Sequence, residues 1–267
     1  MTSALRAAAV LVGLLAPYTV VAATSTSSDR ISVIGDGSTL TGTNGGEGGS
    51  LTWLHNFNTD ALVTVGAEHQ RLGVAHWTFG SLSGSVGTEI GGGRYNFYAE
   101  GHEGAGVDGP HSLKYHIEAA GVSGTYFHQL TVLLEERRID VETTHGHLPK
   151  IGLSYLWTPQ WLTSVTFQDS AGGNLGTELT SVRVDHYSKA VNLLAGGVYG
   201  RASPTIIALG IVSPGHILRE GYVGASKTFG RRTDVSLTTD FLDLSGSKRW
   251  TWTLGFMFHL GSLGGAH

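Results

Sequence analysis

The sequence has no cysteine, so an exported chain of this size holds together without disulfides, and small disulfide-stapled secreted folds are excluded. Charged residues make up only 14% of the chain, against roughly 25% in soluble domains. There is no basic tract and the net charge is −4, which leaves no electrostatic footprint for nucleic acid. Long apolar runs are missing after residue 23, where no stretch approaches the roughly 20 residues of a membrane helix. Helix-period patterning is missing there too. Glycine, by contrast, is abundant at 40 of 267 residues, which favours turns, close strand packing and curvature over long helices.

The N-terminus carries Arg6, an apolar run from Ala7 to Val21, and Val21-Ala22-Ala23 before Thr24. That is the order of charge, hydrophobic core and small-residue cleavage site in a secretory signal, so cleavage is expected after Ala23. Pro17 interrupts the run, which makes it a poor membrane anchor. Residues 24–267 then form one domain, since no linker or solenoid repeat divides them.

Apolar residues recur at every second position. In Trp250-Thr-Trp-Thr-Leu-Gly-Phe-Met-Phe258, Trp250, Trp252, Leu254, Phe256 and Phe258 share one face of a strand. The same alternation returns in Val235/Leu237/Thr239/Phe241, Val191/Leu193/Ala195/Gly197/Tyr199, Trp161/Thr163/Val165/Phe167 and Ile151/Leu153/Tyr155/Trp157. It continues in Leu113/Tyr115/Ile117/Ala119, Tyr95/Phe97/Ala99, Ala75/Trp77/Phe79 and Val63/Val65/Ala67. A strand with lipid on one side and a barrel interior on the other needs this pattern. The expected fold is therefore all-β, a single antiparallel up-and-down transmembrane β-barrel of about 14 strands, within 12 to 16. The strands are expected near 30–41, 50–57, 60–70, 73–84, 92–101, 111–122, 124–143, 148–158, 161–170, 176–187, 190–200, 218–229, 232–243 and 249–258. Tight connections at Asn58 to Asp60, Ser123-Gly124, Thr158 to Trp161 and Phe229 to Thr233 mark the periplasmic side. Gly42 to Ser50 and Gly101 to His111 read as longer, glycine-rich outer loops. Arg201 to Ile217 reads as an outer loop, although Thr205 to Ile211 has strand character.

Several motifs have plainer explanations than chemistry. Gly104-Ala-Gly-Val-Asp-Gly109 has the letters of a dinucleotide fingerprint but lacks the strand-to-helix setting, and a flexible outer loop explains it. His145-Gly-His147 lacks further ligands at diagnostic spacing and reads as exposed loop histidines. Glu135 to Asp140 reads as a solvated, mutually paired patch above the membrane with both faces wet. Ser112 with His111 and His128 would be the residues of a lipid-modifying hydrolase, without any defining motif. No catalytic, cofactor or metal residue is assigned.

The informative polar set faces away from the apolar stripes: Glu68, His76, Arg94, Glu100, Lys114, His116, Glu118, Arg183, Asp185, Lys227 and Asp240. Facing lipid at mid-depth would cost about 2–4 kcal/mol for an Arg or Lys, so these are the lumen-lining candidates. Their mixed signs select neither anions nor cations, and they could line a pore or pair and close it.

The closing hairpins, Gly221-Tyr-Val-Gly-Ala-Ser-Lys-Thr-Phe-Gly-Arg-Arg-Thr-Asp-Val-Ser-Leu-Thr-Thr-Asp-Phe241 and Ser245-Gly-Ser-Lys-Arg-Trp-Thr-Trp-Thr-Leu-Gly-Phe-Met-Phe258, resemble the last strands of Gram-negative outer-membrane barrels. They are similar to YaiO-like barrels and to the barrel modules of exopolysaccharide-secretion proteins. The usual form ends on the aromatic residue, whereas His259 to His267 extend past it here. The resemblance implies the outer membrane as location, with envelope lipid and the barrel-assembly machinery as partners. It also implies passage or export of polysaccharide or small solutes. The expected role is a channel or structural barrel, with an outer-membrane lipid hydrolase or a secreted β-sandwich adhesin as alternatives.

Overall fold

The computed structural model describes residues 28–40, 43–58, 60–72, 75–108, 111–141, 144–202, 216–230, 232–244 and 247–261. The expected cleavage site after Ala23 and the Thr205 to Ile211 stretch lie outside them. The strands are β1 (Ser28–Leu40), β2 (Thr43–Asn56), β3 (Ala61–Leu72), β4 (Ala75–Ile90), β5 (Gly93–Asp108), β6 (His111–Tyr126), β7 (Leu130–Val141) and β8 (Thr144–His147). They continue as β9 (Lys150–Thr158), β10 (Trp161–Asp169), β11 (Glu178–His186), β12 (Asn192–Ala202), β13 (His216–Phe229), β14 (Thr233–Leu244) and β15 (Ser247–Gly261). Each pairs antiparallel with its neighbours, and β1 pairs with β15 from Arg30↔His259 to Leu40↔Arg249, closing the sheet on itself. β7 pairs with both β8 and β9, which are one stave interrupted at Leu148-Pro149, where proline has no N–H to give. The result is a closed 14-strand barrel, which removes the β-sandwich alternative.

Directly opposed residues share a face, so the register fixes which side chains point inward. Ile31, Trp53 and Val65 form one outward row, and Val33, Phe256 and Val235 another. The outward set holds Leu51, Leu82, Val86, Phe97, Leu134, Ile151, Leu153, Val182, Leu193, Val223 and Leu237, all exposed in the isolated chain. Aromatic rings edge this band: Trp53, Tyr155, Trp157 and Trp161 toward the end where β1 starts and β15 stops, Tyr199 and Trp250 toward the other. An exposed apolar belt between aromatic girdles is the lipid contact of an outer-membrane barrel.

The tightest surprise is the turn between β6 and β7. The expected break at Ser123-Gly124 is absent, since Ser123 pairs with Leu133 and Gly124 with Val132. The chain reverses instead at Phe127 and His128, both with positive φ (52° and 59°), closed by a Gln129 N–H to Tyr126 carbonyl bond of 3.1 Å. Neither residue is the glycine or asparagine that usually marks that conformation, which leaves the turn unannounced beside the Ser123-Gly124 pair. Gly124 serves another end: a Cβ there would sit 3.1 Å from Tyr95 and from the Tyr126 hydroxyl, whose rings meet edge to face at 6.0 Å.

Over their described residues, the expected glycine-rich outer loops are strand. β2 begins at Thr43 and pairs Glu47 and Gly48 with Gly37 and Asp36. β5 runs through Gly104 to Val107 against both neighbours, so the described part of the fingerprint-like segment is a ladder and no loop. Gly106 is required there, because its Cβ would fall 2.5 Å from that of Trp77. β4, β5 and β6 are each 16 residues long, well over the roughly 9–11 that cross a bilayer.

That extra length forms a collar in which the pattern inverts. Trp77 and Phe79 of β4, Ile117 of β6, and Ile139 and Val141 of β7 point inward and form a buried cluster with Ala75, Leu148 and Leu175. Their outward neighbours are His76, Lys114, His116, Glu118, Glu136, Arg138 and Asp140. Across the barrel, Leu179, Val198, Leu218 and Leu242 make a second inward apolar layer, with Tyr222 against it. The stripes containing Trp77, Phe79, Ile117 and Ala119 are thus the interior of the collar, where the outer face meets water.

Candidate functional site

Below the collar, the inner wall is dominated by short hydroxyl side chains: Ser32, Ser50, Thr52, Thr64, Ser81 and Ser83 on β1 to β4, and Ser154, Ser164 and Thr166 on β9 and β10. Ser154 donates to Ser164 at 2.8 Å, and Thr166 and Ser181 share a bond of 2.5 Å. Between this wall and the apolar layers lies a belt of charge.

On one side of the belt, Arg137 of β7 reaches Glu100 of β5 at 2.7 Å and Glu135 at 3.1 Å, and Lys150 of β9 reaches Glu135 at 2.9 Å. The Tyr98 hydroxyl donates to the same Glu135 carboxylate. His102 stands 3.8 Å from Glu100. On β11, Arg183 grips Asp185 with its Nε at 2.8 Å and its Nη2 at 2.5 Å. On the remaining wall, Gln70 of β3 donates through Nε2 to Asp36 at 3.1 Å and to Glu68 at 2.9 Å. There Arg249 of β15 approaches Asp240 of β14 at 3.6 Å, both only 2% exposed.

The outer mouth carries a cover built from the β10–β11 connection. Ala171 and His147 exchange backbone bonds of 2.9 and 3.3 Å, and the Asn174 and His145 backbones are joined by two bonds of 2.9 Å, one through the Asn174 side chain. This folds residues 170–177 back over β8, and Leu175, 1% exposed, enters the apolar cluster beneath. Gly172, Gly173 and Gly176 give the segment its three positive φ angles.

Of the eleven lumen candidates, Glu68, Arg94, Glu100, Arg183, Asp185 and Asp240 stand on the inward face. Arg94 is at the periplasmic rim, bonded to Asp60 at 3.0 Å. The other five point outward and are corrections. His76, Lys114, His116 and Glu118 sit on the collar's exterior, in water, so their charge carries no lipid cost. Lys227 faces outward at the periplasmic rim with its ammonium 5.4 Å from the Phe229 ring, where a long side chain reaches the interface. Asp36, Gln70, Tyr98, Glu135, Arg137, Lys150, Glu220 and Arg249 were not among the candidates. Glu135 and Arg137 belong to the charge cluster expected to be wet on both faces, yet they are buried inward while Glu136, Arg138 and Asp140 point out. The alternation within Glu135 to Asp140 was the available signal.

His145 and His147 lie on strand β8, and the His147 Nδ1 meets Glu136 at 2.8 Å. Among the described residues no group of three or more His, Cys, Asp or Glu could hold a metal ion. Ser112 lies at the outer end of β6 and His128 beyond its periplasmic end, so the two cannot act together.

No family model and no curated protein matches the sequence. Solved structures match over nearly the whole chain. A deletion mutant of the TodX monoaromatic hydrocarbon channel aligns with a TM-score of 0.56 at 8% identity, covering 90% of this chain and 91% of that one. The CymD monoaromatic hydrocarbon channel gives 0.56 at 10% identity over 92% and 90%. The Acinetobacter baumannii outer membrane protein Omp33 gives 0.53 at 9% identity over 87% and 99%. At such identities the likeness concerns the fold. Together with the lipid-facing band and closed register, it places the chain among the β-barrels of the outer membrane.

Proposed function

We propose that this barrel is a passive channel for small polar solutes, with no catalytic step of its own. The observation that carries the reading is the inner wall: hydroxyl groups line it below a belt whose buried polar atoms, among them Gln70 Oε1 and Arg249 Nε and Nη1, have no partner in the protein. Buried polar groups are otherwise almost always bonded, so water supplies the missing partners. The neighbours TodX and CymD are themselves channels, for monoaromatic hydrocarbons. The polar wall here favours hydrated solutes instead. The side chains packed at the belt favour small solutes over the polysaccharide that a YaiO-like or exopolysaccharide-secretion barrel would pass. Assembly through the last strand accords with β15 extending to Gly261, where His259 bonds Asp234 at 2.8 Å.

Planar-bilayer recordings test the proposal. Discrete conductance steps are expected, enlarged when the cover is loosened by Leu175→Ser; a barrel sealed at every voltage with and without that change refutes it.

A further inference from the structure

Two glycines of β1 have no reason within the chain. Gly66, Gly121, Gly196, Gly224 and Gly255 each stand where a Cβ would meet a neighbouring side chain at 2.4–2.8 Å, so the barrel's own packing keeps them small. At Gly35 and Gly37 a Cβ would meet nothing within 4 Å, and neither has the left-handed backbone that favours glycine. A glycine inside a strand weakens it, and it marks a place where a ligand or another backbone comes close.

Both face outward. Gly35 is paired with Leu254 and Gly49, and Gly37 with Trp252 and Glu47. They form the floor of a groove of about 650 Å³ on the barrel's outer surface, walled on one side by Val33, Leu237, Trp252, Leu254 and Phe256. The other side is polar. Glu47 meets Arg71 at 3.3 Å, His69 Nδ1 meets Thr78 Oγ1 at 2.9 Å, and the His69 and His76 rings stand 6.4 Å apart, all at outward positions. The register explains the change. One ladder runs from Leu254 through Gly35, Gly49, His69 and Thr78 to Ala105, starting in the lipid band and ending on the collar's exterior. The groove therefore crosses the seam between lipid and water on the outer side.

We propose that this groove holds one molecule of lipid A, the acylated and phosphate-bearing anchor of the outer leaflet, with an acyl chain on Gly35 and Gly37 and a phosphate at Arg71 and His69. The two walls identify the occupant. The apolar wall is continuous with the lipid band, and a flexible chain reaches a floor recessed beside Trp252 that the broad side of a second barrel does not. At the polar end one guanidinium and two imidazoles adjoin the Glu47 carboxylate, a balance that suits an anionic head, and a guanidinium holds phosphate through paired N–H groups. The inference is independent of what the lumen passes.

Native mass spectrometry of the full chain in detergent tests this, with bisphosphorylated lipid A and phosphatidylglycerol offered together at equal concentration. One lipid A should stay bound at collision energies that strip phosphatidylglycerol. Gly35→Val with Gly37→Val fills the groove where a side chain clashes with nothing, and should cut the retained lipid A several-fold. Gly101→Val on β5, equally free of neighbours, should leave it unchanged. Arg71→Gln should lower retention of lipid A and leave that of its dephosphorylated form as it was. If the double variant does not fold, by heat-modifiable gel mobility, the exposed Arg71→Gln decides alone. Equal retention of the two lipids, retention untouched by the folded glycine variant or by Arg71→Gln, or a dimer that the glycine substitutions dissolve overturns the inference.

Discussion

The membrane band and the collar are made by the same strands with opposite polarity. In β7, Leu130, Val132 and Leu134 point out, and five and seven residues after Leu134 the apolar side chains Ile139 and Val141 point in. Nothing in the backbone changes between them; what changes is the medium outside. Where lipid meets the wall, an outward apolar side chain loses nothing, and where water meets it the ordinary rule of a soluble core returns. Hydrophobic alternation therefore reports which faces differ, and the surrounding medium decides which of them is inside.

The sharpest break in that comparison is between two tryptophans. Trp77 is 2% exposed in the collar's interior and Trp157 is 63% exposed on the band. Trp77→Ala leaves a cavity and should cost about 3–5 kcal/mol in urea unfolding from lipid vesicles. Trp157→Ala should cost far less, because lipid closes over the gap. Equal losses would show that the collar interior is not a packed core.

Arginine substitution locates the boundary with a smaller effect. Leu134→Arg on the band should cost about 2–4 kcal/mol, whereas Ala105→Arg on the collar's exterior should stay within about 0.5 kcal/mol. A similar penalty at both positions would put the collar inside the bilayer.

The sequence made the barrel legible because its period of two persists through every stave, and β9, β10, β14 and β15 face as their stripes indicate: Ile151, Val165, Leu237 and Trp252 all point outward. It failed at β4 and β6, where the stripes Ala75/Trp77/Phe79 and Ile117/Ala119 have the same period and the opposite phase. A phase slip was present in both: Leu82 and Val86 follow Trp77 and Phe79 on even positions, and Ala120 and Val122 follow Ile117 and Ala119. Four of the eleven lumen candidates, His76, Lys114, His116 and Glu118, were misplaced for the same reason, since a charge opposite an apolar stripe is interior only if the stripe faces lipid. Glu135 and Arg137 were passed over because pairing across β5, β7 and β9 is a property of the closed sheet, invisible in a linear cluster.

Fluorescence sharpens the comparison without perturbing stability. In single-tryptophan variants reconstituted with brominated lipid, Trp252, outward on β15 and 49% exposed, should be quenched strongly. Trp77 should be nearly untouched. Quenching of both would mean that acyl chains reach the collar's interior.

The smallest expected difference concerns carboxylates on the outer face of each region. Asp29, at the periplasmic edge of the band, accepts from the Trp53 indole at 3.0 Å and meets His55 Nδ1 at 2.8 Å, and only 8% of it is exposed. Asp140, on the collar, meets Arg138 at 2.8 Å with both side chains largely in water. Asp29→Ala removes a buried carboxylate that holds both the Trp53 indole and His55 and should cost about 1–3 kcal/mol, while Asp140→Ala should cost about 0–1 kcal/mol. Raising salt should erase the second loss and leave most of the first, because screening reaches exposed pairs and spares buried ones. If the Asp29 loss vanishes with salt as well, its contribution is that of an exposed pair, and the lower aromatic girdle is wetter than its burial implies.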